Sequence, residues 1–161
     1  MNYKNYEIER KFLIINELWD KIEKPDGEIY IQGYIQNKSG KTVRVRVAGN
    51  KGWLTIKGSS KGITRYEFEY NIPHEDAKIM LEQFTKNRII KNRYKINYKG
   101  HLWEVDEFKG DNNGLILAEI ELKSEDEYFE IPDWIGKEVS GEKYYYNAYL
   151  SKHPYKNWQH I

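Results

Sequence analysis

Near its N-terminus the chain reads Glu7-Ile8-Glu9-Arg10-Lys11. Side chains alternate faces along a strand, so Glu7, Glu9 and Lys11 point one way while Ile8, Phe12 and Ile14 point the other. Two carboxylates at that spacing repel each other unless a cation lies between them. The alternation recurs down the chain. Arg44 and Arg46 share a face, as do Glu67 and Glu69, then Lys91, Arg93 and Lys95, then Glu104 and Asp106, and last Glu119, Glu121 and Lys123. Acidic and basic strands are mostly separate, a division that suits a site binding both metal cations and a polyanion. The same pattern also describes strands with a solvated polar face.

The totals narrow the field. At 161 residues the chain is read as a single domain, 1–161, with a sizeable core. It has 26 Lys and Arg against 25 Asp and Glu, so bulk charge gives no argument for nucleic acid or a membrane surface as partner. Charged residues are plentiful at 32%, and 14 tyrosines keep the composition away from that of a disordered chain. Cysteine is absent, which excludes disulfides and thiolate metal sites. No signal-like or membrane-spanning apolar run is seen, so the expected location is cytoplasmic.

The elements that must carry the ionic faces are short. The first strand covers about Tyr6 to Ile15, and Asn16 is read as the cap of a short helix. Glu28 to Asn37 alternates, with Tyr30, Gln32, Tyr34 and Gln36 on one side. Ser39-Gly40, Gly49 to Gly52 and Ser59 to Gly62 are turns between strands. Pro73 suits a first helical position, and Ala77, Met80, Leu81 and Phe84 give a stripe of helical period. A basic strand runs from Asn87 to Tyr98, followed by Leu102 to Phe108 and Leu115 to Lys123. The aromatic run from Lys143 to Ser151 is read as a short helix that covers the core or marks a homodimer surface. His74, His101, His153 and His160 fall off the ionic faces and are expected at the surface.

About eight strands with short connections predict one antiparallel sheet, closed or nearly so. Periodicity does not decide which face lies inside. An ionic interior is costly unless its charges are paired or ligated. A half-open sheet with its ionic face in water gives the same alternation.

Matches along the whole chain resemble the CYTH superfamily, the triphosphate tunnel metalloenzymes. Glu7-x-Glu9-x-Lys11 resembles its defining first strand. Gln32-Gly33-Tyr34-Ile35, Arg44-x-Arg46, Thr55-x-Lys57 and Arg65-x-Glu67-x-Glu69 resemble the next strands of the small bacterial members. Lys91-x-Arg93-Tyr94, Glu104-x-Asp106 and Glu119-x-Glu121 follow in order. Trp134 to Val139, with Lys143 and Asn147 after it, resembles their C-terminal segment.

The resemblance implies a mainly β fold: a closed eight-stranded antiparallel barrel forming a tunnel, with a few flanking helices and the ionic faces inside. It implies hydrolysis of a small-molecule triphosphate, foremost inorganic tripolyphosphate, with Mg²⁺ or Mn²⁺ held by carboxylates. Glu7, Glu9 and Glu119 are then the first candidate ligands and Glu121 the next. Asp106, Glu67 and Glu69 would hold a second metal or orient the bases. Lys11, Arg44, Arg46, Lys57, Lys91, Arg93 and Lys143 would bind phosphate. Tyr34 and Lys91, with Lys11, are the candidate catalytic residues. A lysine crowded by Arg93 and other bases should have a depressed pKa, so Lys91 could position or deprotonate water as a general base; the rival role is plain phosphate binding. A nucleoside triphosphatase, a class IV adenylate cyclase, a thiamine triphosphatase and a non-catalytic polyphosphate-binding module stay open as alternatives. No His-Phe pair precedes the first strand, which counts against the cyclase. No glycine-rich phosphate loop is present, so side chains must cradle the anion.

Overall fold

The computed structural model describes residues 5–158. Its strands are β1 (Tyr6–Ile14), β2 (Glu28–Lys38), β3 (Lys41–Ala48), β4 (Lys51–Lys57), β5 (Thr64–Ile72), β6 (Arg88–Tyr98), β7 (His101–Phe108), β8 (Ile116–Glu121) and β9 (Ile135–Glu138). Its α-helices are α1 (Asn16–Trp19), α2 (His74–Phe84) and α3 (Asn147–Leu150). Around the sheet the order is β5-β4-β3-β2-β6-β7-β8-β1, and β1 pairs back onto β5. Neighbours in this ring pair antiparallel, so eight strands close into a barrel.

The ninth strand is a correction to the sequence reading. β1 divides one edge between two partners: Tyr6 to Ile8 pair with β5, whereas Phe12 and Ile14 pair with β9. β9 has four residues, too few for an alternation to be visible in the chain. Two hairpins depend on their turn chemistry. Ser39 and Gly40 have φ of 54° and 73°, and Lys99 and Gly100 have 45° and 86°. Two central residues with positive φ match the twist of the flanking strands, so each pair turns the chain in two residues.

Outside the barrel, apolar faces are covered in patches. α2 lays Ala77 and Leu81 against Val45 and Val47. Phe84, expected on that stripe, is 63% exposed, because the helix ends there and its last turn overhangs the sheet. Pro73 stands one residue before the helix rather than in its first position, and Ile15 rather than Asn16 occupies the cap of α1. A second patch packs Trp19, Phe129 and Trp134 over Phe12, Trp103, Ala118 and Ile120. Each such large side chain contributes about 1.5–3 kcal/mol on burial.

The inward positions are not ionic throughout. Leu13 continues the face of Glu9 and Lys11, Leu117 that of Glu119, and Ile89 that of Lys91. With Phe108, Leu115 and Leu150 they form an apolar floor, against which Tyr145 and Trp158 pack. The C-terminal segment is therefore core cover, as expected, but it breaks into a 3₁₀ turn at Lys143–Tyr145 followed by α3. His153 is exposed, but His101 is half-buried against Phe129 and pairs with Glu127 at 3.0 Å. His160 lies outside the described residues. Among the described residues no helix is long and apolar enough to cross a membrane.

Candidate active site

Strand alternation sends the ionic faces inward, where they line a cavity of about 130 Å³. Among the described residues seven bases and seven glutamates border it. Register explains how they meet. Thr42, Lys57 and Glu67 lie opposite one another across β3, β4 and β5, and Arg44, Thr55 and Glu69 form the next such row. Glu7 of β1 sits opposite Arg65 of β5, at the seam where the barrel closes. Several charges thus meet an opposite charge in the lumen, which offsets the cost of their burial.

The acidic wall contains two differently treated carboxylates. Glu7 lies 2.8 Å from Lys57 and 2.6 Å from Arg65. Burial alone would raise its pKa, but these two cations outweigh burial and hold it down at about 2. Glu9 is paired more loosely, with Lys11 at 4.0 Å. Burial and the facing carboxylates of Glu119 and Glu7 push Glu9 up to about 8. Glu119 is buried too, yet Lys11 at 3.1 Å, with Arg93 and Lys91, keeps it well below the usual carboxylate range.

The basic wall carries an unpaid debt of hydrogen bonds. The Arg46 guanidinium lies against the edge of a stacked pair of rings, 5.2 Å from the centre of Tyr30 and 5.1 Å from that of Trp53. Burial, then the neighbouring Arg44 and Arg93, lower its pKa to about 10. It meets the Glu69 carboxylate at 3.5 Å, and among the described residues the Nε–H groups of both Arg44 and Arg46 are buried without an acceptor. A buried donor without a partner costs about 1–3 kcal/mol. An anion entering the cavity would remove that cost.

Lys91 is 1% exposed. Its ammonium donates to Asp106 Oδ2 at 2.7 Å and to Asn147 Oδ1 at 3.1 Å. Burial lowers its pKa most, Asp106 opposes this, and Arg93 lowers it further, to about 8. The depressed pKa was expected from crowding by bases; burial is the larger cause.

Residues 5–152 match the CYTH domain. The chain belongs to the CYTH family. It is 49% identical to the inorganic triphosphatase of Acetivibrio thermocellus over 95% of this chain and 97% of the relative. It is 34% identical to the inorganic triphosphatase of Nitrosomonas europaea over 90% and 96% of the two chains. The crystal structure of an inorganic triphosphatase, 30% identical, superposes with a TM-score of 0.61 over 90% of this chain and 93% of the other.

Most of the residues singled out in the sequence meet in this CYTH tunnel. Glu7, Glu9, Lys11, Tyr34, Arg44, Arg46, Lys57, Glu67, Glu69, Lys91, Arg93, Glu119 and Glu121 all border the one cavity. Two do not. Asp106 is fully buried behind the wall, where it accepts from Arg93 and Lys91, so of its two expected roles the structure supports orienting the bases. Lys143 lines a neighbouring cavity of about 570 Å³ that shares Thr42, Arg65, Tyr146 and Ala148 with the tunnel. The sequence reading gave no role to Arg65, Glu104, Tyr146 or Asn147, all of which border the tunnel. Arg65 and Glu104 had a usable signal, since each lies two residues from a named acidic residue on the same face. Tyr146 had none, because it sits between two short helical turns, and Asn147 had only the resemblance of the C-terminal segment.

The donor set fits a hard divalent cation. Oxygen ligands suit Mg²⁺ and Mn²⁺, and Glu9 faces two further carboxylates with little cationic compensation. Among the described residues no three acidic or histidine side chains already converge on a single point. The carboxylates are instead paired with the bases.

Proposed function

We propose that this chain is an inorganic triphosphatase that hydrolyses tripolyphosphate to pyrophosphate and phosphate inside the tunnel, assisted by Mg²⁺ or Mn²⁺. The observation that carries this reading is the pair Arg44 and Arg46. Two guanidiniums side by side, each with a buried Nε–H lacking an acceptor, form a site that an anion with many oxygens completes. The names of the two curated relatives support the same substrate.

In this mechanism Arg44, Arg46, Lys57 and Arg93 bind phosphate oxygens, the arginines in two-pronged fashion and the lysine as a point charge. Lys57 leaves Glu7 and Glu67 to do so in part, since it stands 2.8 and 2.9 Å from them. Glu9, Glu119 and Glu121, with Glu7 beside them, would hold the metal. A bound divalent cation shields phosphoryl charge and lowers the pKa of a bound water. Lys91 carries its charge below pH 8 and presents it to the phosphoryl oxygens where negative charge develops. Tyr34, opposite Arg44 in register, orients the chain of phosphates through its hydroxyl. The apolar floor keeps bulk water from entering at that end of the barrel.

A second reading, hydrolysis of nucleoside triphosphates, has one observation in its favour. The cavity beside the tunnel is lined by Tyr149, which stacks on His153 at 4.2 Å, and by Lys143. A base could lie there while its triphosphate enters the tunnel.

Phosphate and pyrophosphate release from tripolyphosphate and from ATP, each with and without Mg²⁺ or Mn²⁺, separates the readings. Metal-dependent turnover of tripolyphosphate well above that of ATP is expected. Preference for ATP would favour the second reading. Binding of tripolyphosphate without turnover under any metal would overturn both.

A further inference from the structure

We propose that Asn147 is a positioning residue for Lys91, delivered to the tunnel wall by the C-terminal segment. This rests on the triphosphatase reading above. Asn147 takes no part in the mechanism above.

The argument starts from the ammonium group. Lys91 has three N–H donors and no acceptor. One goes to Asp106 Oδ2 at 2.7 Å and one to Asn147 Oδ1 at 3.1 Å. With two donors fixed in direction, the tetrahedral nitrogen leaves the third no freedom, and Lys91 borders the tunnel. The stem of the side chain is held as well: its nitrogen lies 5.6 Å from the Phe108 ring centre, and the residue is 1% exposed. Without Asn147 the ammonium keeps Asp106 and loses the second anchor, so it can turn about the remaining bond.

The amide of Asn147 has its orientation set by chemistry. Lys91 can only donate, so the side-chain oxygen must face it. The same oxygen accepts from Gln32 Nε2 at 3.3 Å, and that nitrogen also lies 3.4 Å from the Tyr34 hydroxyl. Gln32 is fully buried. Asn147 thus closes a chain of contacts that joins Lys91 on β6 to Tyr34 on β2.

The segment that delivers Asn147 is anchored independently of Lys91. Asn37 Nδ2 donates to the Ala148 carbonyl at 2.7 Å, and Leu150 lies in the apolar floor. The same segment gives the Tyr145 carbonyl to Lys11 Nζ at 3.2 Å. It therefore supplies one oxygen to a lysine on each of two strands of the tunnel, β1 and β6. A four-residue helix in contact with the floor has few residues to hold it, so the two oxygens arrive only when the segment is docked.

The test uses the full chain and three variants: Asn147→Leu removes the acceptor at similar size, Asn147→Asp keeps an oxygen, and Asn37→Ala removes one hydrogen bond of the segment while Leu150 in the floor keeps Asn147 against Lys91. Rates on tripolyphosphate with saturating Mg²⁺, melting temperatures and the ¹H–¹⁵N signal of the Lys91 ammonium are measured for each. Asn147→Leu should lower kcat about ten- to hundredfold, the scale of one lost hydrogen bond to a charged group, with KM changed less than about threefold. Asn147→Asp should recover most of the loss. Asn37→Ala should lower the melting temperature without the kcat loss. The ammonium signal, assigned by its absence in Lys91→Ala, should be protected from solvent exchange in the parent and in Asn37→Ala and lost in Asn147→Leu. An unchanged kcat in Asn147→Leu, or parallel losses of kcat and stability in Asn147→Leu and Asn37→Ala, would overturn the proposal. A parent chain inactive on tripolyphosphate would sink the triphosphatase reading; the ammonium signal would still decide whether Asn147 holds Lys91.

Discussion

Arg93 and Asp106 face each other across β6 and β7 and form a two-pronged ion pair, Nε to Oδ1 and Nη2 to Oδ2, both at 2.7 Å. Asp106 also accepts from Lys91, and Arg93 extends to Glu104 and, at 3.5 Å, to Glu119. One fully buried carboxylate therefore orients two of the tunnel's bases. Breaking a buried pair by removing one partner leaves an uncompensated charge, at a cost of about 3–5 kcal/mol. Asp106→Ala should lose stability on that scale in urea titration, and its residual folded fraction should bind tripolyphosphate poorly. A change below 1 kcal/mol would mean that water replaces Asp106.

Arg46 cannot be exchanged for lysine without loss. Its planar group lies against the stacked rings of Tyr30 and Trp53, and its two-pronged donor set matches phosphate geometry. Arg46→Lys and Arg46→Ala should both lower kcat/KM for tripolyphosphate, the alanine variant by about a hundred- to a thousandfold, as for loss of one preorganised donor. Steady-state kinetics at fixed Mg²⁺ checks this, and full activity in Arg46→Lys would contradict the role given to the guanidinium plane.

Lys91 makes activity and stability depend on pH in ways that can be separated. Its folded pKa of about 8 lies below the ordinary 10.5. Between these values the unfolded chain holds a proton that the folded chain has released, so stability contributed by this group rises with pH across that window. Below pH 8 both states are protonated and the penalty for burying the charge is fully present. Activity should do the opposite and fall above about pH 8, as the ammonium that meets the phosphoryl oxygens is lost. Lys91→Arg should shift that falling limb to higher pH. A rate that instead climbs to a plateau above pH 8 would make Lys91 a general base.

Removal of divalent cations should abolish turnover while leaving the barrel folded, because its carboxylates and bases already neutralise each other in pairs. Chelation is expected to lower the rate by at least about a hundredfold. Melting temperature should change little, and added Mg²⁺ or Mn²⁺ should restore the rate. Glu9→Gln, which removes a carboxylate only loosely paired with Lys11, should raise the metal concentration needed for half-maximal activity. Glu7→Gln should lower stability as well, since Glu7 is paired with Lys57 and Arg65.

The alternation of Glu7, Glu9 and Lys11, of Arg44 and Arg46, and of Glu119 and Glu121 was enough to place these residues on single strand faces. A period of two is a local property of the backbone, legible without any knowledge of neighbours. The turn at Ser39-Gly40 and the charge balance of the whole chain were legible for the same reason. Which face turned inward was not, because an ionic lumen and a solvated sheet share the same alternation; closure of β1 onto β5 decided it. Nor was the different fate of Glu7 and Glu9, since a carboxylate two residues along the strand meets other partners across the lumen, and pairing there sets its proton affinity. Asp106 and Glu104 share a face in sequence, yet one is buried behind the bases and the other borders the tunnel. Asn147 reaches Lys91 from 56 residues away in the chain. Such a contact has no local pattern, and only the packing of the C-terminal segment on the apolar floor brings it about.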